Sequence, residues 1–581
     1  AAAGEGDKAL AALLEERTGS SASRVKNDLA KKVDEAAADK LLTACHGDQA
    51  LRNRVKPYFH FLRMDRWGYP LVYPENTFMV TTGADRRETG THYTPKSLTE
   101  AIVKETLEPV LYLGPAEGKP REEWTLKTPA ELLDLKICDP AMGSGAFLVQ
   151  ACRWLSERLV EAWDDAEKQG NAVTSEGIVV EKCNGYEPLR NDAEERLLTA
   201  RRLIAERCLY GVDINPLAVE LAKLSIWLVT LAKGRPFGFL DHNLRSGDSL
   251  LGIHDLEQLH YLDMNPGKGS SKKLFASKID QAVEEALELR IKLRAQPIRD
   301  IRDVEVMATL DEEARRILAL PNVIADALVA DVLAANGKKL DVTSLSIEAG
   351  GAIDGENVQI SSLERRADSG LGTDLPSGKA ARRPFHWPLE FPEIFCRATG
   401  GFDAFIGNPP FLGGKRISET LGDSYNAYLK ATYLESKGAA DICAYFFRRA
   451  SILLSDTGNA GLLATNSIAQ GDTREVGLEY ICKRPAEIIF AVKTMPWPGK
   501  AGVSIAMLVF SHQLWNGNRS LDGRPISYIS PHLETLRRVG TPKKIPIPIE
   551  KASYGTGILG VGFLPIRLTP TPTRSSVGHG C

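Results

Sequence analysis

Gly401–Phe411 reads GFDAFIGNPPF, an apolar strand carrying Phe402, Phe405 and Ile406 that ends abruptly at Asn408, Pro409, Pro410 and Phe411. Two consecutive prolines lack backbone donors and fix φ, so the strand leaves its sheet there as a stiff lip with free carbonyl oxygens. The side-chain oxygen of Asn408 and the carbonyl of Pro409 form a rigid acceptor pair beside an aromatic ring. That is the equipment needed to hold an exocyclic amino group on a flat heterocycle, such as an extruded nucleobase. Taken alone, the same residues serve equally well as a strand-ending turn.

Outward from this lip, residues 135–159 (LKICDPAMGSGAFLVQACRWLSERL) give a short apolar strand, an acid, a Gly-x-Gly turn and a helix. Gly143 and Gly145 permit positive φ and close backbone approach to a ligand, and Asp139 at the strand end accepts from a ligand amino group or hydroxyl. A dinucleotide fingerprint would need glycine where Leu148 stands, and no G-x-x-x-x-G-K-[ST] loop is present, so the ligand carries no polyphosphate. Residues 207–232 repeat the logic: Asp213 closes a strand and Pro216 opens an apolar helix, a placement suited to the two hydroxyls of a ribose. A third strand end, in LRSGDSLLG, carries Asp248, an acceptor for an adenine amino group. Three acidic strand ends around one glycine loop describe an adenosine-containing ligand.

The alternation continues through DICAYFFRRASILLS as a helix, GNAGLLATNSIAQGDTR as strand and loop, and VSIAMLVFSH as a strand, which together predict a doubly wound α/β sheet. Upstream, Thr94-Pro95 precedes Leu98, Ile102, Val103 and Leu107 on one helical face, so Pro95 falls at an early helical position. Residues 1–74 read as short amphipathic helices. Between 259 and 384 the chain turns charged, helical and then Gly- and Ser-rich, and is expected to be a mainly helical insertion separating core segments 75–258 and 385–515. Trp497, in PWPGKAG, either lines a pocket or fills the core. Residues 516–581 do not read as a finished domain.

Composition sets the bounds. The 581 residues are 43% hydrophobic and 25% charged with a net charge of −3, a globular range that argues neither for nor against nucleic acid. No apolar run approaches the ~20 residues of a membrane span. Nine cysteines without a C-x-x-C pair or zinc-ligand spacing predict a reducing, cytoplasmic setting and no metal.

In the order TP, DPAMGSGAFL, GVDINP, GDSL, NPPF and TNSIAQGDTR, the chain resembles the S-adenosylmethionine-dependent DNA adenine N6-methyltransferases with γ-type motif order. Its wording is similar to the large methylases of Type IIG restriction-modification enzymes and of the DISARM phage-defence system. The resemblance implies a class I methyltransferase sheet over roughly 75–515, S-adenosylmethionine as cofactor, and double-stranded DNA and other restriction or defence subunits as partners. By matching position it implies that Tyr93, Thr94 and Pro95 lie at the methionine end of the cofactor. It further implies that Asp139, Gly143, Gly145 and Phe147 form its main loop, that Asp213 binds the ribose and that Asp248 binds the adenine amino group. Asn408 and Pro409 would accept from the target N6, Pro410 would stiffen the lip, and Phe411 would stack on the flipped base. The family's recognition region follows the catalytic core, where this chain has only 516–581, so weak sequence discrimination is expected. N4-cytosine, RNA and protein-glutamine methylation, and a non-catalytic DNA-binding subunit, are the alternatives.

Overall fold

The structure, a computed structural model, describes residues 21–65, 68–72, 94–182, 185–231, 236, 238–376, 378–484, 486–498 and 502–535. Its frame is a nine-stranded sheet of β1 Ile137–Asp139, β2 Leu209–Asp213, β3 Leu244–Ser246, β4 Phe402–Gly407, β5 Leu454–Thr465, β6 Glu487–Pro496, β7 Ser504–Ser511, β8 Arg519–Leu521 and β9 Arg524–Ile526. Across the sheet the order is 9-8-6-7-5-4-1-2-3. Strands β3, β2, β1, β4 and β5 run parallel, while β7 is antiparallel to both β5 and β6. The chain winds outward from β1 to β3 and then returns to β4, so the direction of winding reverses between β1 and β4. A crevice opens outside their carboxyl ends at such a switch point. The 3-2-1-4-5-7-6 order with one reversed strand is the doubly wound class I methyltransferase sheet that the motif series led us to expect.

Two-residue periodicity divides the sheet between two cores. Ile137, Leu209, Ala404, Ile406, Leu463 and Met507 face one side, where they meet α1 (Lys96–Leu111), α2 (Ala146–Lys168), α3 (Ala193–Arg207) and α4 (Pro216–Thr230). Their neighbours Cys138, Tyr210, Phe405, Leu462 and Leu508 face the other. Full burial of a large apolar side chain stabilises by about 1.5–3 kcal/mol, and a one-residue slip would exchange the two faces, so the register is firmly set.

Residues between β3 and β4 cover that second face. They form α5 (Ala276–Ala295), α6 (Ile301–Ile317), α7 (Ala319–Ala335), α8 (Thr343–Ile353) and α9 (Asn357–Leu371). Inserted in sequence, they are not peripheral in packing, which corrects the reading of this region as lying outside the core. Ile324, Leu328 and Leu333 of α7 are fully buried in one cluster with Tyr210, Phe402 and Phe405 of the sheet. The charged residues of α5 and α6 masked this in the sequence, because some of them form a buried seam. Arg290 of α5 is bidentate to Glu393 at 2.6 and 3.1 Å, donates to Asp311 of α6 at 2.8 Å and reaches the His242 carbonyl at 2.7 Å. Arg245 of β3 joins at Asp311, 3.0 Å, and Tyr210 of β2 donates to Glu393 at 3.2 Å.

Helices α6 and α7 meet at 53°, and among the described residues no single helix is long and apolar enough to cross a membrane. Near the N-terminus, Ala22–Ala30, Glu35–Ala44 and Gln49–Val55 are short helices around a small cluster of Leu41, Cys45 and Phe59. At the far edge, β8 and β9 are a hairpin whose Asp522-Gly523 tip has φ of 51° and 75° at its two central residues. Asp-Gly is the dipeptide such a turn favours. The sequence reading passed over this hairpin, and over β6.

Candidate active site

Each side of the crevice is built by a strand that stops at a residue unable to continue it. On β4 that residue is Pro409, directly after Asn408. Gly407, before Asn408, is required by space: a Cβ there would stand 2.6 Å from the Asp139 carboxylate at the end of β1. The two strand ends therefore approach as closely as backbone allows, which brings Asn408 beside the glycine loop. Asn408 donates through Nδ2 to the buried Thr94 hydroxyl at 3.2 Å, joining residues 314 apart in sequence. Its Oδ1 is buried and accepts from no protein group. Thr94 is held by Pro95, which occupies the cap position of α1, whose Leu98, Ile102, Val103 and Leu107 are buried as their spacing predicts.

The lip beyond Asn408 is pinned at its far end. Asp441, the N-cap of α12, accepts from the Leu412 N–H at 3.2 Å and from Cys443 N–H at 3.1 Å, where α10 is Gly414–Leu421, α11 is Asp423–Thr432 and α12 is Ile442–Leu453. Ile442 N–H in turn donates to the Leu412 carbonyl at 3.0 Å. Pro409 is buried, Pro410 half-buried, and Phe411 half-buried with its ring packed against both apolar cores. The sequence reading had not used Asp441, although an Asp before an apolar helix is a cap signature.

Opposite stands the loop after β1. Gly143 (φ 53°) has open space where a Cβ would be, and its N–H donates to Asp213 at 2.9 Å. Gly145 (φ 81°) starts α2 and lies so close to α4 that a Cβ would stand 3.2 Å from that of Ala222. Asp213 also accepts from Asn215 N–H at 2.8 Å. Asp139 accepts from Ala141 N–H at 3.1 Å through one oxygen, and its other oxygen is buried without a partner. Burial, with the charge of Asp213 adding, pushes the Asp139 carboxyl well above the usual carboxylate range, and burial raises Asp213 too. Ile214, next to Asp213, is an apolar side chain left exposed at this mouth.

Asp248, after β3, is neighbouring but differently held. Its carboxylate accepts from Leu250 and Leu251 N–H and from the Tyr425 hydroxyl of α11, at 2.9 and 3.1 Å to its two oxygens. The adjacent Ser249 hydroxyl donates to the Pro140 carbonyl, tying this turn to the glycine loop. Tyr425 had no signal in the sequence. Phe147 points into the apolar core beneath α2, and Trp497 packs against that same core from the end of β6. Tyr93 lies outside the described residues. Thr94, Asp139, Gly143, Asp213 and Asn408 thus gather at one sheet edge, with Asp248 alongside. Among the described residues no cluster of three His, Cys, Asp or Glu is placed to hold a metal ion.

All of the residues gathered at this edge except Thr94 fall inside two family matches, the Eco57I restriction-modification methylase over residues 207–483 and the DNA-methyltransferase domain of MmeI over 117–239. Together the matches run from 117 to 483, and over that stretch the chain is similar to DNA methyltransferases of the restriction-modification type. Around it, the chain is 25% identical over 455 residues to a Methanocaldococcus jannaschii protein named as a type II restriction enzyme and methyltransferase, covering 71% of this chain and 34% of that one. It is 28% identical over 123 residues to DNA methyltransferase A of Bacillus subtilis, covering 21% and 14%. The chain therefore spans about a third or less of the curated relatives it matches. A solved structure of the type IIL restriction-modification enzyme MmeI with DNA overlaps 78% of this chain and 43% of its own at 13% identity, with a TM-score of 0.36 that is too low to bear on the methyltransferase domain's function.

Proposed function

We propose that the domain transfers a methyl group from S-adenosylmethionine to N6 of an adenine extruded from DNA. The observation that carries this reading is the buried, unpartnered Oδ1 of Asn408 facing the switch-point crevice beside the glycine loop. A buried acceptor with no protein donor costs roughly 1–3 kcal/mol, a cost relieved when a ligand N–H fills it. The cofactor fits the opposite wall. The empty oxygen of Asp139 is a second such acceptor, the absent side chain of Gly143 leaves room for a ligand against backbone, Asp213 is placed for a diol, and Ile214 offers an exposed apolar surface for a flat ring.

When bound, S-adenosylmethionine supplies an electrophilic methyl on a sulfonium whose leaving group is a neutral thioether. The chain's own part is positioning. Adenine N6 is a poor nucleophile because its lone pair is delocalised into the ring; Asn408 Oδ1 and the Pro409 carbonyl, accepting its two hydrogens, favour a pyramidal nitrogen with the lone pair aimed across the crevice. As the new N–C bond forms, positive charge grows on N6, and these acceptors stabilise it until one proton leaves to solvent. Thr94 fixes the Asn408 amide so that its oxygen, not its nitrogen, faces the amino group. Extrusion of the base costs a few kcal/mol, which contact with the Phe411 ring partly offsets.

The test is to incubate the protein with DNA and isotope-labelled S-adenosylmethionine, digest the DNA and identify labelled nucleosides by mass spectrometry. Labelled N6-methyladenine is expected. Label in N4-methylcytosine alone, or none with folded protein that binds the cofactor, overturns the reading.

A further inference from the structure

Helix α4 has two apolar faces and needs only one. Ala218, Val219, Ala222 and Ile226 are buried against the sheet side of the domain. On the outside stand Leu217, Leu221, Leu224, Leu228 and Leu231, each between 46% and 66% exposed. Their spacing of four, three, four and three residues is the alternation of coiled-coil d and a positions sustained over two heptads. A scattered exposed leucine is ordinary, but a contiguous stripe of four on one helix, with Leu231 at its C-cap, is a surface built to be covered.

We propose that this stripe pairs with the same stripe of a second copy of the chain, as a two-fold antiparallel helix pair. Leu221 then packs against Leu224 of the partner subunit, and Leu217 against Leu228 of the partner subunit. Three observations favour a second copy over another occupant. The stripe matches itself, as an isologous contact requires, because all four seam positions on the helix are leucine. The seam brings no like charges face to face: Ala218 and Ser225 flank one side, and Glu220 on the other lies opposite Ser225 of the partner subunit and 2.7 Å from Lys223, which Asp241 also holds at 2.6 Å. Five half-exposed leucines present on the order of 500 Å² per copy, so pairing removes about 1,000 Å², which is where specific interfaces begin. Antiparallel packing also sets the two helix dipoles head to tail.

The contact lies on the outer side of the helix whose inner side supports Gly145 through Ala222. Nothing in the pairing depends on the methyl-transfer reading.

Sedimentation velocity of the 581-residue chain tests it across about 0.5–50 µM. A reversible dimer of twice 63.5 kDa is expected for the wild type, and a monomer with unchanged circular dichroism for the Leu221→Glu/Leu228→Glu double variant. Should that variant misfold, Leu221→Ser/Leu228→Ser replaces it, with at least a tenfold weaker self-association expected. A wild type that stays monomeric throughout overturns the proposal. So does a dimer that these folded variants leave intact.

Discussion

Two places in this molecule bury several polar and charged groups together, and they do so in opposite ways. In the seam between the inserted helices and the sheet, Arg290, Glu393, Asp311 and Arg245 meet at 2.6–3.1 Å and their charges answer one another. In the crevice between β1 and β4, Asp139 and Asn408 each keep one buried acceptor atom with no protein donor. A closed network holds parts of a fold together; an open one carries a free-energy cost that only a ligand removes. The difference is one of degree, since Arg245 of the seam also keeps Nε and Nη1 without a hydrogen-bond partner.

Breaking the closed network should have the largest effect. Arg290→Met leaves Glu393 and Asp311 facing each other in a buried site, and we expect a loss of about 3–5 kcal/mol in stability, read from urea unfolding at pH 7. Burial alone would raise the Glu393 carboxyl, but the Arg290 guanidinium holds it below its ordinary value of 4.5, and Asp311 is lowered in the same way by Arg245 and Arg290. A depressed acid contributes stability that is present above its unfolded value and disappears as pH falls through the folded one. The gap between wild type and variant should therefore narrow below about pH 4.

The open site should respond in rate instead. Asn408→Ala removes an acceptor from the transition state, and on our reading slows single-turnover methylation on the order of 100-fold or more, with cofactor affinity retained. Its unfolding midpoint should stay near that of wild type, since losing the 3.2 Å bond to the Thr94 hydroxyl is offset by removing a buried oxygen that has no protein donor. A variant that methylates at the wild-type rate would make the lip a structural turn. Asp213→Ala, by contrast, should weaken cofactor binding in calorimetry.

Asp139 sharpens the comparison further, because its burial is an energetic burden until a ligand arrives. Asp139→Asn removes the buried charge but keeps an acceptor at the same place. A carboxyl raised by burial contributes stability that is fully present below its unfolded value of 3.8 and lost as pH rises through the folded value. The Asn variant should therefore be more stable than wild type at pH 8, by about 2 kcal/mol, and indistinguishable from it near pH 3. Cofactor affinity should move the other way and fall.

These contrasts also show what the sequence could and could not convey. Both apolar faces of β4 and β5 were legible, because Phe405/Ile406 and Leu462/Leu463 alternate with the period of a strand. The acids at strand ends were legible because each follows an apolar run and precedes a turn. The second core face was not, since charge on α5 and α6 reads as solvated surface until Glu393, a hundred residues on, is seen to meet Arg290. Nor was the Thr94–Asn408 bond, which depends on how closely Gly407 lets β4 approach β1. Strand β6 escaped because EIIFAVKTMP mixes its apolar and polar residues without clean alternation, bulged as it is against β7.

Asp248 falls between the two regions, and Tyr425 decides on which side. Its carboxylate sits at a strand end like Asp139, yet two backbone N–H groups and the Tyr425 hydroxyl already occupy it, as partners occupy the acids of the seam. Burial and the Asp248 charge push the Tyr425 hydroxyl well above the ordinary tyrosine range, so it remains a donor at every pH where the protein is folded. Tyr425→Phe deletes that donor without changing the ring's packing. If the tyrosine acts as a structural partner, the variant should lose about 1 kcal/mol of stability, because the backbone donors still hold the carboxylate. Cofactor affinity should then stay within about threefold of wild type, a free-energy change under 1 kcal/mol. A tenfold or greater loss of affinity with an unchanged melting temperature would move Asp248 and Tyr425 together into the ligand site, and the line between closed and open polarity would then run through α11 instead of beside it.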